Sequence, residues 1–159
     1  MILIIDTQYF ENFTIIDTDF DSNKVNNHLV DAQEIQVYEL LGKDLYDQLQ
    51  LALAGTPTVD EQILIDKLKP FLLKATELNL IPFLNTPVTA KGTQERSGNN
   101  TTSASGTDKG LILDNVRAKI EVHALRIAKF LDENKALYPN WRKDCNTNKP
   151  TFYSAIYGV

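Results

Sequence analysis

Apolar residues recur every three or four positions through "DKGLILDNVRAKIEVHALRIAKFLDENKALYPN", at Leu113, Val116, Ile120, Ala124, Ile127 and Leu131. That is the period of an α-helix with one apolar face. Running from about 110 to 136, such a helix extends roughly 40 Å, and Pro139 ends it. A stripe of that length must be covered, and the other patterns in the chain are of the same helical kind.

In "DFDSNKVNNHLVDAQEIQVYELLG" Val25, Leu29, Ala32, Val37, Leu40 and Leu41 fall mostly on one face behind a cluster of Asp and Ser caps. Gly42 is placed to end that helix in a left-handed conformation. "KDLYDQLQLALA" repeats Leu45, Leu49 and Leu53, with Tyr46 widening the face, and stops at Gly55. In "TVDEQILIDKLKPFLLKATELNLIPFL" residues Ile63, Leu64, Leu68, Phe71, Leu72, Ala75, Leu78 and Leu84 mark a further helical region. Pro70 and Pro82 lack an amide hydrogen, so the expectation is two helices joined at about Pro70, with Pro82 bending the second. The opening "ILII" and the later "FTIID" favour one or two short extended segments, or an N-terminal arm.

The expected architecture is therefore mainly α: a small bundle of four or five helices with short N-terminal extended segments and a long polar loop before the last helix. The expected domain is residues 1–145, with an N-terminal arm (1–22) and the polar loop (86–109), followed by an aromatic tail (146–159). The loop, within "TPVTAKGTQERSGNNTTSASGTDKG", has no leucine, isoleucine or aromatic residue. Its length implies either a functional loop or a linker.

At 159 residues and 43% hydrophobic, the chain can bury the core of one ordinary domain. Its 21 acidic and 16 basic side chains leave a charge of −5, with Lys and Arg dispersed, which argues against a dedicated nucleic-acid surface. The single Cys145 forms no internal disulfide, and the apolar start lacks the basic residues and length of a secretory signal or membrane span. A soluble, intracellular chain is expected.

Reactive chemistry has little to stand on. Asp17, Asp19 and Asp21 match the first positions of a calcium loop, but Ser22 replaces the required glycine and His28 the bidentate glutamate, so helix capping explains them better. His28 and His123 lie on different helical patterns without ligand spacing. Asp60 with Glu61, and Asp132 with Glu133, point around a helix rather than converging. The expectation is no enzyme, no metal and no cofactor. The sharper signal is aromatic: Tyr138, Trp141, Phe152, Tyr153 and Tyr157 suit either interface anchors or a tail packed on its own body.

"VNNHLVDAQEIQVYELLGKDLYDQL", an Ala-Gln helix running into Leu-Leu-Gly and Leu-Tyr, resembles the helical head-tail connector proteins of tailed bacteriophages. It looks most like the neck ring (adaptor) proteins of the crAss-like and related Bacteroidetes phages. The Leu-rich helix with Pro82, the polar "VTAKGTQERS" insertion and the long last helix ending in "LDENKALYPNW" also match, so the resemblance covers approximately residues 1 to 143.

The resemblance implies a structural virion component assembled in the host cytoplasm. Many copies would form a ring below the portal, extend the DNA channel and carry the tail attachment platform. Its implied partners are further copies, the portal protein and downstream neck and tail proteins, with DNA as non-specific cargo and no membrane. Candidate contact residues are Ile4 and Ile5 of the arm, Lys91, Gln94 and Arg96 of the loop, and Tyr138, Trp141, Phe152, Tyr153 and Tyr157. A tail-completion or stopper protein, a helical adaptor binding a host protein, and a metal enzyme using Asp17 to Asp21 are the alternatives.

Overall fold

The first turn of the helix Val59–Leu80 is built by a capping box. Thr58 Oγ1 accepts the Glu61 N–H at 3.3 Å, and the Glu61 carboxylate accepts the Thr58 N–H at 2.9 Å. From Phe71 to Leu80 the buried positions run round most of the circumference, which makes this helix the centre of the core. The computed structural model describes residues 1–14, 16, 22–83, 88–89, 92–93 and 106–141. In chain order these are α1 (Thr7–Phe13), α2 (Ser22–Asp31), a π-helical segment (Ala32–Val37), α3 (Tyr38–Leu41), α4 (Lys43–Ala54), α5 (Val59–Leu80), a 3-10 turn (Ile81–Phe83), the short strands β1 (Val88–Thr89) and β2 (Gly92–Thr93), and α6 (Gly106–Glu133). The fold is a mainly helical bundle, with α2, the π segment and α6 packed around α5.

Pro70 does not divide α5 as the sequence suggested. A proline inside a helix costs about 3 kcal/mol, whereas Leu68, Phe71 and Leu72 around it are fully buried and contribute about 1.5–3 kcal/mol each. Packing wins. The hydrogen bond lost is the one to the carbonyl of Asp66, on the exposed side of the helix where water can serve it. Pro82 does mark the end, within the 3-10 turn.

The helix running from Ser22 to Leu41 is continuous, but it widens into a π segment over Ala32–Val37. At the α-helical pitch, Val37, Leu40 and Leu41 would lie roughly a quarter-turn away from Val25, Leu29 and Ala32. A π segment turns less per residue and so brings the later set back to the core, where all six are buried. Gly42 then ends α3 at φ 76°, ψ 163°, and its carbonyl accepts the Tyr46 N–H at 3.0 Å to start α4.

At the N-terminus no strand forms among the described residues. Residues 1–6 carry neither helix nor strand, and Thr7–Phe13 is a helix capped by Asp6, whose carboxylate accepts the Tyr9 N–H at 2.7 Å. The last helix starts at Gly106, four residues before the expected position, and so takes over the end of the polar stretch. Within that stretch β1 and β2 pair antiparallel, Val88 opposite Thr93 and Thr89 opposite Gly92. The remainder of the loop lies outside the described residues.

Candidate functional site

The N-terminal arm is held by side-chain amides. Gln33, wholly buried in the π segment, accepts the Ile4 N–H at 2.7 Å and donates to the Ile2 carbonyl at 2.8 Å. Gln50 of α4 accepts the Ile2 N–H at 2.9 Å and donates to the same carbonyl at 3.2 Å. Two glutamines thus do for the arm what a neighbouring strand would do, and Ile4 and Ile5 are pressed into the core at 7% and 3% exposure. Within this chain both side chains belong to the core.

Where the arm crosses α3 and α4 it leaves an open groove of about 800 Å³. Met1, Ile2, Tyr38, Tyr46 and Leu51 line it, with the acids Glu34 and Asp47 among them, the Asp47 carboxylate accepting from Lys43 at 2.8 Å. Tyr38 and Tyr46 meet edge to face at 5.4 Å, and the Tyr46 hydroxyl donates to Met1 Sδ at 3.6 Å. Burial pushes the Tyr46 phenol up from its ordinary pKa, so it stays a donor at neutral pH. Leu51 is 76% exposed, an apolar side chain standing in water at the groove.

A separate polar cluster centres on Glu77 of α5. Glu77 is fully buried, its carboxylate accepting from Lys74 at 2.7 and 2.8 Å and from the Thr14 hydroxyl at 3.1 Å. His123 of α6 has its pKa lowered by burial, with Arg126 and Lys74 pushing the same way. His28 stacks on Phe83 at 5.4 Å, and burial lowers its pKa against the opposing pull of Asp31. Glu77 and Lys74 are held in an ion pair and His28 in a ring contact. Among the described residues no group of three or more His, Cys, Asp and Glu could hold a metal ion.

The turn after α6 closes the body. The Tyr138 hydroxyl donates to the Asp60 carbonyl at 2.8 Å, and Asn140 donates to Gln48 Oε1 at 3.0 Å. Tyr138 and Trp141 are 2% and 7% exposed, so of the two roles open to these aromatics the structure shows packing on their own body. Lys91, Gln94, Arg96, Phe152, Tyr153 and Tyr157 lie outside the described residues, as do Asp17, Asp19, Asp21 and Cys145.

The sequence reading missed Gln33 and Gln50, and with them the groove. Neither has a periodic signature; a glutamine within an apolar face was the available signal for Gln33.

A family model, DUF6712, described as a family of unknown function, matches residues 37–151. The chain belongs to the DUF6712 family. The match begins at the end of the π segment and takes in α3 to α6 and the Tyr138–Trp141 turn, so the arm, α1 and α2 stand outside it. No curated protein and no solved structure matches the chain. In this DUF6712 member the groove is therefore built mostly from matched residues, on α3 and α4, with Met1 and Ile2 of the arm and Glu34 of the π segment completing it. Among the described residues no helix is long and apolar enough to cross a membrane.

Proposed function

We propose that this chain is a head-tail connector subunit, one of many copies forming a ring between portal and tail. The residues that carry the resemblance to phage neck proteins are the starting point. The structural observation that favours the reading is the acid-bearing apolar groove at Met1, Tyr38 and Leu51. A rotational ring needs a heterologous contact, one patch of each subunit meeting a different patch of the next. The groove is one such patch. Its complement in the sequence is the stretch from residue 142 onward, which combines Arg142, Lys143 and Lys149 with Phe152, Tyr153 and Tyr157. An apolar groove bearing Glu34, and Asp47 in an exposed pair with Lys43 that contributes little, fits a basic, aromatic segment of the neighbouring subunit.

In this reading the helical body forms the ring wall, while the polar loop with Lys91, Gln94 and Arg96 reaches the portal, a neighbour or the channel. Small polar side chains there suit a surface that must let DNA pass. Catalysis and cofactors have no part in it.

Mass spectrometry of particles produced from the genome that encodes the chain tests the proposal. A connector is present in mature particles at a low, fixed copy number. Absence from particles overturns the reading, and presence only after tail attachment assigns the chain to the tail-completion layer instead.

A further inference from the structure

Helix α6 carries a second repeat. Its buried face is Val116, Ile120, Ala124, Ile127 and Leu131; on the diametrically opposite side lie Leu111, Ala118, Val122 and Leu125. All four are exposed, Leu111 at 66%, Val122 at 45% and Leu125 at 51%. With Asn115 they form a heptad seam: Leu111, Ala118 and Leu125 at the d positions, Asn115 and Val122 at the a positions. The flanks of the seam are sorted by sign. Asp114 and Glu121 occupy g, and Lys119 and Arg126 occupy e.

We propose that this face pairs with the same face of a second copy of the chain, the two α6 helices lying parallel and in register. Leucine at d with a β-branched residue at a favours two strands, and a single asparagine at a fixes register and oligomer state. Charge selects the direction. In a parallel pair Asp114 faces Lys119 of the second copy and Glu121 faces Arg126 of the second copy, because g meets the following e. An antiparallel pair would set acid against acid and base against base, which opposes association. Asp114 now pairs with Arg117 of its own helix at 3.0 Å, with Asp114 exposed and Arg117 half-buried, and Glu121 is itself half-buried and already engaged; a pair as exposed as that of Asp114 contributes little and can be exchanged.

The seam from Leu111 to Leu125 spans only about 21 Å of helix, a narrow stripe beside the roughly 800 Å² per partner of a standard interface. The dimer is therefore weak and concentration-dependent. It does form without ordering cost in the helix, since α6 is already held by α5. The pairing is two-fold and closes on itself, unlike a ring contact. It belongs to the free chain and stands or falls separately from the connector reading.

Sedimentation of the full chain from about 1 μM to about 1 mM spans the affinities such a seam can give. The expected result is a reversible monomer–dimer equilibrium, abolished by Val122→Glu with no change in helical content. Asp114→Lys weakens the dimer about fivefold, and adding Lys119→Asp restores it. Orientation is read by oxidation of a mixture of two Cys145→Ser chains, one carrying Leu111→Cys and the other Lys129→Cys. Cross-links between like positions are expected. A monomer at every concentration, which leaves the face to residues 142–159 or to another partner, overturns the proposal. Cross-links between unlike positions, or a dimer indifferent to Val122→Glu and Asp114→Lys, overturn it as well.

Discussion

Gln33 and Ile4 are joined by a 2.7 Å hydrogen bond from the Ile4 backbone N–H to the Gln33 side-chain oxygen, in a site from which solvent is excluded. Through it, a segment without regular structure keeps its polar groups satisfied while two isoleucines enter the core. The same bond fixes one wall of the groove on which the proposed neighbour contact depends.

Gln33→Leu removes the two bonds that Gln33 makes to the arm and leaves the Ile4 N–H buried without its acceptor. A buried unsatisfied donor costs about 1–3 kcal/mol. Urea unfolding should show a loss in that range, and amide exchange should show the Ile4 proton losing protection before the rest of the core.

Lys74 and Glu77 give a sharper test, because Glu77 has no access to water and Lys74 little, at 0% and 14% side-chain exposure. Lys74→Met strands a buried carboxylate, for which a loss of about 3–5 kcal/mol is expected. Lys74→Met with Glu77→Leu removes both charges and should recover most of that loss. Equal destabilisation in the single and double variants would assign the pair no such role.

The legibility of the chain was uneven. Helix existence was plain, since Leu113 to Leu131 and Leu45 to Leu53 keep the α-period without interruption. At Pro70 a local rule lost to packing by Leu68, Phe71 and Leu72, which no local reading weighs. The π segment is implied only by the quarter-turn offset of Val37, Leu40 and Leu41, and "ILII" reads equally as strand or arm because a side-chain amide partner leaves no trace in a pattern. The outer repeat of α6 was present in the sequence but overshadowed by the stronger inner one, and only exposure separates the two. Of the candidate contacts, Ile4, Ile5, Tyr138 and Trp141 proved to be core, apolar or aromatic side chains being equally at home there.

Both histidines lower stability in acid. Each has a folded pKa below the ordinary 6.5, burial being the leading cause, so below that value the unfolded chain binds more protons. Stability is unaffected by them above about 6.5, falls as the pH drops through that value, and levels off below the folded pKa values. His28→Gln with His123→Gln should flatten the slope between neutral and mildly acidic pH in denaturant titrations.

Gly42 sits at φ 76°, where an L-residue is strained, although an added Cβ would meet nothing within 4 Å. The cost of Gly42→Ala is thus conformational alone, about 1–3 kcal/mol. Thermal unfolding should show the loss without a change in cooperativity.

Removal of residues 146–159 should leave cooperative unfolding intact, because Tyr138 and Trp141 close the body before that point. Leu51→Glu in the groove should likewise leave the fold unchanged, Leu51 being 76% exposed. Both changes should impair ring formation if the groove receives the neighbour's tail.

The most direct measurement mixes the purified chain with the portal protein encoded nearest its gene and determines the product by native mass spectrometry and negative-stain imaging. A stacked ring of fixed copy number on the portal, lost with Leu51→Glu, is the expected product. A folded chain that never associates with the portal would contradict the connector proposal.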